Sequence, residues 1–222
     1  MSSSPRLSSP APAKSERYHH GDLRRALLDA ARALAAAGGV EALTLREVAR
    51  QAGVSPAAPY HHFSDKNDLL RAVATEAFEL LTRAMAVAAE STDDPVQRLK
   101  AIGAAYLAFA FAHPAEFRFM FRHELCLPPG VPDPLEQAGT ASYGVLLTAV
   151  EAAQKSTQVR SGSPDTELST LGLTLWSAVH GLSSILLESP MSKTSTPEIG
   201  QHLARSVIGN VLRGVLTEEQ RD

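Results

Sequence analysis

Apolar residues recur at helical spacing along most of the chain, and no segment of useful length alternates polar and apolar residues as a strand would. The first helical segment begins at about Asp22 and ends at the glycine pair Gly38-Gly39. Its apolar face consists of Leu23, Ala26, Leu27, Ala30 and Leu34. The next segment repeats apolar residues at i, i+3, i+4 and i+7, namely at Leu45, Val48, Ala49 and Ala52. This pattern predicts an all-α protein.

Local signals delimit the second of these helices. Thr44 and Glu47 form a T-x-x-E capping box, in which each side chain can satisfy an unpaired backbone donor of the other residue. Gly53 can adopt the left-handed conformation that ends the helix. A short helix, a tight turn and another short helix at this spacing are typical of a helix-turn-helix, whose second helix can enter a DNA major groove.

The second helix of this motif is predicted from Pro56 to His62, with Ser55 as its N-cap and proline at its first position. Pro59 occupies the fourth helical position, where its missing N–H removes the first intrahelical hydrogen bond. The ring of Pro59 also disfavours helical geometry at Ala58. We therefore expect a tight or partly 3₁₀ first turn.

The remainder of the chain predicts six further helices, since proline, glycine and polar segments interrupt its apolar pattern. They run from Ser64 or Asp65 to about Ala89, from Asp94-Pro95 to about Ala112, from Pro114 through Leu125, from Leu135 to about Gln154, from Asp165 to Glu188 and from Glu198 to Leu216. The expected organisation has about nine helices. It comprises a disordered tail over 1–17, a helix-turn-helix domain over 18–64 with its motif at about 43–63, a linking helix over 65–90 and a helical domain over 94–217.

Composition narrows the class of protein further. A chain of 222 residues that is 44% hydrophobic can bury roughly 70% of its unfolded surface. We find no run of about 18 apolar residues and no secretory leader, and the single cysteine Cys126 fits a reducing compartment, so we expect a cytoplasmic protein without membrane association. Residues 1–72 carry ten Lys or Arg and seven Asp or Glu, whereas the rest carries eleven and seventeen. This excess of basic residues at one end weakly favours a phosphate-rich partner.

Signals for catalysis and metal binding are missing from the sequence. The chain has no G-x-S-x-G elbow, P-loop, H-E-x-x-H or G-x-G-x-x-G motif. Cys126 has no evident base nearby, so we do not expect a nucleophilic role. The side chains of adjacent histidines point in different directions on a helix and are poorly placed to bind one metal ion. The pairs His19-His20 and His61-His62 are both of this kind. We predict no enzyme activity, no cofactor and no metal.

Residues from about 18 to 80 resemble the DNA-binding domain of TetR-family transcriptional regulators. The matching elements are Gly38-Gly39, the run from Thr44 to Ala49, Gly53-Val54-Ser55, Tyr60-His61-His62-Phe63, Ser64-Asp65-Lys66 and Leu69-Leu70. In the second half, Trp176 to Gly181 resembles the W-x-x-x-H-G signature of one C-terminal subclass, as does His113-Pro114-Ala115-Glu116-Phe117. The resemblance implies a homodimeric, ligand-responsive regulator of transcription, most often a repressor. The alternative is a helical interaction protein without operator binding.

The resemblance also implies DNA contacts. Thr44 and the backbone N–H groups beside it should hold one phosphate, while Tyr60 and Lys66 match positions that grip the opposite side of the groove. Tyr60 could instead be a half-buried ring with a solvated hydroxyl. The tail residues Lys14, Arg17, His19 and His20 could act as a DNA-contacting arm or as a solvated segment.

Direct base recognition is limited by the composition of the second helix. Ala57 and Ala58 can sense only a thymine methyl group. The polar candidates for base contacts are Ser55, Tyr60 and His61. Arg46, on the preceding helix, is a weaker candidate. We therefore expect DNA shape to supply much of the discrimination. The predicted DNA-binding set is Thr44, Arg46, Ser55, Pro56, Ala57, Ala58, Tyr60, His61 and Lys66.

Two features of the second half have alternative interpretations. Six of the twelve aromatic residues lie between positions 106 and 121, where they could line an apolar ligand pocket or form dense core. The pocket candidates are Tyr106, Phe109, His113, Phe117, Phe121, Trp176 and His180. The apolar stripes of the last two helices could form a dimer interface or belong to the core of one protomer. The interface candidates are Leu175, Val179, Leu182, Leu186, Leu203, Val207 and Val211.

Overall fold

The computed structural model describes residues 20–156, 164–188 and 196–214, and all regular structure in these ranges is helical. The described residues form eight α-helices: α1 (His20–Gly38), α2 (Leu45–Gln51), α3 (Lys66–Ala89), α4 (Pro95–Ala112), α5 (Pro114–Phe119), α6 (Pro134–Lys155), α7 (Pro164–Glu188) and α8 (Pro197–Arg213). Three 3₁₀ turns span Val40–Ala42, Ala58–His61 and His123–Leu125. The all-α prediction is confirmed. The predicted tail over 1–17 and most of the predicted loops at 156–164 and 190–197 lie outside the described residues.

Side-chain caps fix most of the helix starts where the sequence predicts them. The caps are Thr44 on α2, Asp65 on α3, Asp94 on α4, Asp133 on α6 and Thr196 on α8, and each side chain accepts a hydrogen bond from a backbone N–H of the first turn. Proline occupies the first position after three of these caps, where its missing N–H costs nothing. The starts of α4, α6 and α8 are therefore within one residue of prediction.

The N-terminal head consists of α1, α2, the turn Ala58–His61 and the start of α3. Leu27 of α1 and Val48 of α2 are completely buried, and the buried Phe63 belongs to the same apolar core. Gly53 adopts a φ of 69°, the left-handed conformation predicted for the turn after α2. Apolar packing between these four elements holds the head together.

The C-terminal body is organised around α3 and α4. Helix α3 packs against α4 and α6, while α4 also packs against α7 and α8. Leu69 and Leu70 near the start of α3 belong to the same continuous apolar core as Phe78 and Leu81 further along it. Because one 24-residue helix supplies core residues to both parts, head and body are mechanically connected through α3.

Helix α5 is shorter than predicted. It ends at Phe119, whereas the sequence prediction carried it through Leu125. The N–H of Arg122 closes a turn on the Phe119 carbonyl at 3.0 Å, and Arg122 then adopts an extended backbone conformation. Tertiary contacts of this segment, described below, stabilise the break, and the local sequence contains no proline or glycine that would signal it.

Within α7, the stretch from Thr170 to Glu188 is long and apolar enough to cross a membrane by length and composition alone, with a mean hydropathy of 1.4. A core helix has the same properties. Leu171, Leu175, Val179 and Leu186 of this stretch are all buried inside the protomer. Packing in the protein core therefore accounts for the apolar residues on one face of α7.

Candidate DNA-binding surface and effector cavity

Thr44 caps α2 as predicted. Its Oγ1 accepts a hydrogen bond from the Glu47 N–H at 3.1 Å, and the residue is exposed. The predicted capping box pairs the Glu47 carboxylate with the backbone of Thr44. In the structure this carboxylate instead accepts hydrogen bonds from Arg50, one turn further on. These hydrogen bonds hold the pKa of the Glu47 carboxyl below its usual range. The head thus presents an exposed, capped helix start at Thr44.

The segment that follows α2 differs from its prediction. We call residues 55–62 the recognition segment; its regular part is a 3₁₀ turn over Ala58–His61 rather than an α-helix from Pro56. Ala57 takes the N-cap position and Ser55 caps nothing with its side chain, so that part of the prediction was wrong. The Ser55 carbonyl accepts from the Ala58 N–H at 3.0 Å, since Pro59 has no N–H to offer it. The 3₁₀ geometry predicted for the first turn therefore extends over the whole element.

Anchoring and exposure alternate along the recognition segment. Pro59 is buried and Phe63 is only 3% exposed, so both hold the segment against the head. The guanidinium of Arg24 lies 5.6 Å from the centroid of the Phe63 ring, which adds a cation–π contact from α1. Tyr60, by contrast, is 57% exposed. The aromatic side chain of Tyr60 therefore extends into solvent from a turn that buried Pro59 and Phe63 hold in place.

The predicted DNA-binding residues divide into two groups by exposure. Seven are exposed: Thr44, Arg46, Ser55, Pro56, Ala57, Tyr60 and His61. Ala58 and Lys66 are half-buried. Lys66 is the first residue of α3, and its Nζ lies 3.5 Å from the carbonyl oxygen of Glu41 in the turn Val40–Ala42. Ala58 is therefore less available to a partner than the prediction assumed, and Lys66 is positioned by the head.

Three arginines join the head to the body. Arg122, after α5, donates to the Glu41 carboxylate with an Nη1–Oε1 distance of 2.8 Å, and this contact lowers the pKa of Glu41. Arg32 of α1 pairs with Glu76 of α3, and its Nε lies 3.9 Å from Glu116 of α5. These contacts connect α1 and the turn after it to α3 and to the segment around α5. Sequence reasoning assigned no role to any of them.

The third arginine, Arg71 of α3, pairs with Asp133 and also donates to the carbonyl of Leu125. Asp133 is 6% exposed and caps α6 by accepting from the Leu135 N–H at 2.8 Å. Burial acts to raise the pKa of the Asp133 carboxyl, but the hydrogen bonds from Arg71 and Leu135 outweigh it and hold the pKa below its usual range. Asp133 therefore remains ionised inside the protein.

An apolar cavity of about 340 Å³ lies in the body between α3, α4, α6, α7 and α8. Its deep walls include the buried side chains of Leu81, Met85, Leu99, Ile102, Leu175 and Ile208. The partly or fully exposed lining residues are Phe121, Gly139, Thr140, Tyr143 and Trp176. We refer to these five as the mouth of the cavity. The size and lining suit a small apolar molecule.

Three of the predicted pocket residues line this cavity, namely Tyr106, Phe121 and Trp176. His180 lies beside them, with its Nδ1 2.8 Å from the Tyr106 hydroxyl. Phe109, His113 and Phe117 do not line the cavity, which corrects the prediction. Phe109 stacks on His113 at a centroid distance of 4.8 Å, and Phe117 packs edge-on against Tyr106 at 5.9 Å. The aromatic concentration is thus partly cavity wall and partly core.

Most of the cavity lining was missed by sequence analysis. Phe78, Ser142 and Tyr143 line it from α3 and α6. Helical periodicity identifies which residues face inward, but it does not show where packed helices leave a gap. Gly139 was a usable signal for the cavity in the sequence, because a glycine inside a helix often marks open space or close packing. Gly139 lies at the mouth, and a Cβ there would meet the Phe78 ring at an ordinary contact distance of 3.7 Å, so close packing does not require the glycine.

The predicted dimer residues also separate by burial. Leu175, Val179 and Leu186 are between 1% and 5% exposed because they pack inside the protomer, so they cannot form an interface with a second chain. Leu182, Leu203, Val207 and Val211 are half-buried. Leu173 and Ile185 of α7, which the sequence prediction did not include, are each 51% exposed. In the described ranges, no group of three or more His, Cys, Asp or Glu side chains could hold a metal ion.

A capped short helix followed by an exposed recognition segment is a helix-turn-helix arrangement. One long helix joins it to a separate helical body that contains an apolar cavity. Comparison with known families agrees. Residues 27–73 match the family described as bacterial regulatory proteins, tetR family, and residues 99–209 match the tetracyclin repressor-like C-terminal domain. The chain therefore belongs to the TetR family of DNA-binding transcriptional regulators.

Individual relatives support the same fold. The chain is 44% identical over 71 residues to an uncharacterized HTH-type transcriptional regulator of Haemophilus influenzae and 37% identical over 79 residues to the regulator BetI of Rhizobium meliloti. These matches cover 32% and 36% of the chain and only 35% and 39% of those proteins. A Rhodococcus protein of unknown function is 31% identical, with a TM-score of 0.77 over 91% of this chain and 100% of that one.

The fold is also similar to that of FadR from Bacillus subtilis in complex with stearoyl-CoA. The TM-score is 0.69 over 86% of this chain and 98% of that one. Identity is only 15%, so this likeness concerns the fold alone.

Proposed function

We propose that the protein is a homodimeric repressor that binds a palindromic operator and is released from it by a small apolar effector. The observation that carries this proposal is the recognition segment. Buried Pro59 and Phe63 brace it, while Ser55, Ala57, Tyr60 and His61 remain exposed beside the capped start of α2. A rigid, protruding element of this kind is what insertion into a major groove requires.

Phosphate contacts would set the register of the head on DNA. Thr44 presents an exposed hydroxyl at the start of α2, and Tyr60 presents an exposed phenol. Lys66 lies in the first turn of α3, where the helix dipole adds to its positive charge. Arg46, exposed on α2, would provide a further contact near the groove edge. In this proposal, Thr44 and Arg46 hold phosphates on one side of the groove, and Tyr60 and Lys66 hold phosphates on the other side.

Base contacts would come from a small set of side chains. Ser55, Tyr60 and His61 can hydrogen-bond to base edges, and exposed Pro56 and Ala57 offer only apolar contact. Half-buried Ala58 would support the turn more than it contacts bases. Much of the operator preference would then depend on DNA shape.

Dimerisation would place two recognition segments on one operator. Exposed Leu173 and Ile185 lie on α7, with Gly181 between them; a Cβ at Gly181 would meet no atom within 4 Å. A partner helix can approach closely at such a position. The half-buried residues Leu182, Leu203, Val207 and Val211 would flank this contact. A two-fold dimer is the arrangement that reads two half-sites of an inverted repeat.

Effector release would use the cavity and the contacts between body and head. A molecule that widens the cavity changes the packing of α3, which continues into the head. A small rotation of each head suffices, because the spacing between two heads must match the helical repeat of DNA. We place this regulator in the cytoplasm, where its DNA is, and expect no catalytic activity.

Salt dependence of operator binding tests the proposal. Fluorescence anisotropy with a labelled promoter fragment is measured as salt is raised for the wild type, Lys66→Ala and Lys155→Ala. We expect a steep wild-type slope of log affinity against log salt, reduced by about 0.9 per protomer in Lys66→Ala. Lys155, paired with Glu151 at the far end of α6, is the control and should leave the slope unchanged.

The alternative is a helical interaction protein without operator binding. Its supporting observation is the pair of alanines at positions 57 and 58, which leaves few side chains for base recognition. That alternative predicts weak binding with no preference between promoter and unrelated DNA. A shallow slope that Lys66→Ala does not change would favour it.

A further inference from the structure

Tyr106 and Ser142 are buried polar side chains that line the cavity, and both are already hydrogen-bonded to the protein. We propose that the effector has an apolar body and one polar end, that the apolar body fills the deep part without any hydrogen-bonding group, and that the polar end stays at the mouth beside Thr140. This inference rests on the proposed effector role of the cavity. It specifies the chemistry and the orientation of the ligand.

Tyr106 is the first buried polar group. Its hydroxyl lies 2.8 Å from Nδ1 of His180. An unpaired hydroxyl proton in an apolar cavity is costly, so the favoured tautomer of His180 leaves Nδ1 unprotonated, and the Tyr106 hydroxyl donates its proton to that nitrogen. Burial raises the pKa of Tyr106 and lowers the pKa of His180, so both groups are neutral near pH 7. The hydroxyl proton is thus committed to the protein.

Ser142 is the second buried polar group. Its hydroxyl lies 3.1 Å from the Phe78 carbonyl and 2.6 Å from the Thr82 hydroxyl, which itself lies 2.8 Å from the same carbonyl. Whichever hydroxyl donates to the other, the Ser142 proton remains within this cluster. Ser142 therefore contributes no hydrogen-bond donor to a ligand.

The mouth differs from the deep part in its access to water. Thr140 is exposed and its neighbours Gly139 and Tyr143 are half-buried, whereas the lining residues from α4 and α8 are buried. A polar group at the mouth keeps its hydration, and one at the deep end loses hydration and finds no free hydrogen-bond donor there. The loss corresponds to roughly 10- to 100-fold in affinity.

A matched ligand pair tests the orientation. The purified protein, free of DNA, is titrated with a ten-carbon primary alcohol and with the ten-carbon diol that carries a hydroxyl at each end. Trp176, the single tryptophan of the chain and part of the mouth, reports binding through its fluorescence. We expect the alcohol to bind at least tenfold more tightly than the diol. Affinities within about threefold of each other, or no binding of either molecule, would overturn the proposal.

Tyr106→Phe tests the assignment of the deep end. The variant leaves Nδ1 of His180 available to a second hydroxyl. The ratio of alcohol to diol affinity should therefore fall by threefold or more. An unchanged ratio in a folded variant would contradict the assignment. If this variant does not fold, the wild-type ratio alone decides.

A pair of glycines in α6 locates the binding. Gly139→Leu fills the mouth and should abolish alcohol binding, whereas Gly144→Leu, where a Cβ would meet no atom within 4 Å, should retain it. Equal binding by both variants would place the alcohol outside the cavity. Operator binding is measured separately. If the alcohol binds as expected without affecting operator affinity, the proposed effector role fails while the proposed chemistry of the cavity stands.

Discussion

The guanidinium of Arg122 and the carboxylate of Glu41 are 2.8 Å apart, although the two residues are separated by 81 positions in the sequence. Arg122 directly follows Phe121, which lines the cavity. Glu41 lies in the turn after α1, and its carbonyl oxygen is 3.5 Å from the Lys66 ammonium. A single ion pair therefore connects the cavity wall to a residue that we propose contacts DNA.

Breaking this ion pair should weaken the coupling between effector and operator. In Glu41→Gln or Arg122→Ala, we expect the effector to reduce operator affinity roughly two- to tenfold less than in the wild type. Effector affinity, measured by Trp176 fluorescence, should change little. Because the pair acts as one unit, the double variant should lose no more coupling than either single variant. Additive losses, or full coupling in all three variants, would exclude this route.

Ala57→Asn should change the operator preference. The residue is exposed in the recognition segment, and an asparagine there can form two hydrogen bonds with adenine. We expect a shift of roughly 5- to 100-fold in the relative affinity for operators that differ at one base pair. Competition binding with a set of single-base operator variants measures it. Ala84→Asn, at an exposed position of α3 in the body, is the matched control. An identical preference in all three proteins would place Ala57 away from the bases.

Ile185→Asp should dissociate the proposed dimer. Ile185 is 51% exposed on α7, and a carboxylate at an apolar interface would be left without a partner. We expect the dimer dissociation constant, measured by sedimentation, to rise at least roughly 30-fold. Val87→Asp, at a position 70% exposed on α3, provides the control and should not affect assembly. A dimer that tolerates Ile185→Asp must use another surface.

Asp133→Ala should destabilise the protein. It removes the buried partner of Arg71 and the cap of α6 together, which we expect to lower the free energy of unfolding by about 3 kcal/mol. Denaturant titration measures this change. Glu151→Ala removes only an exposed ion pair with Lys155 and should cost less than about 1 kcal/mol. Similar losses in the two variants would contradict the structural role of Asp133.

The contribution of Asp133 should also depend on pH. Since folding lowers the pKa of its carboxyl, the stabilisation is present above the unfolded value near 3.9 and is lost as pH falls through the lower folded value. The difference in unfolding free energy between wild type and Asp133→Asn should therefore shrink below about pH 4. A difference that stays constant from pH 7 to pH 3 would show that ionisation of Asp133 contributes nothing.

Local signals in the sequence predicted much of the fold. Asp94-Pro95 starts α4 as a cap followed by proline, and Thr44 caps α2, both as predicted. Asp133, which the sequence analysis assigned to a loop, caps α6. Pro59 signalled 3₁₀ geometry, but the sequence did not show that it would replace the predicted α-helix. The starts of α2 and α4 depend on a few neighbouring residues, which is why sequence analysis found them.

Features that depend on distant residues were not predictable in this way. The pairs Arg122–Glu41 and Arg71–Asp133 join positions far apart in the chain, and no local pattern marks them. The stripe containing Leu175 and Val179 is apolar whether it faces a second chain or its own protomer, and only packing showed that it faces inward. The cavity depends on five helices at once, so its walls required the structure.

Selection of bound fragments from genomic DNA tests the central claim most directly. The purified protein is mixed with sheared DNA of its source organism, and the retained fragments are sequenced and searched for a shared motif. The braced, exposed recognition segment in a two-fold dimer predicts one inverted repeat among the fragments bound by the wild type. A Tyr60→Ala, Lys66→Ala double variant should fail to enrich it. Unrelated fragments without symmetry, or the same enrichment by the double variant, would contradict the account.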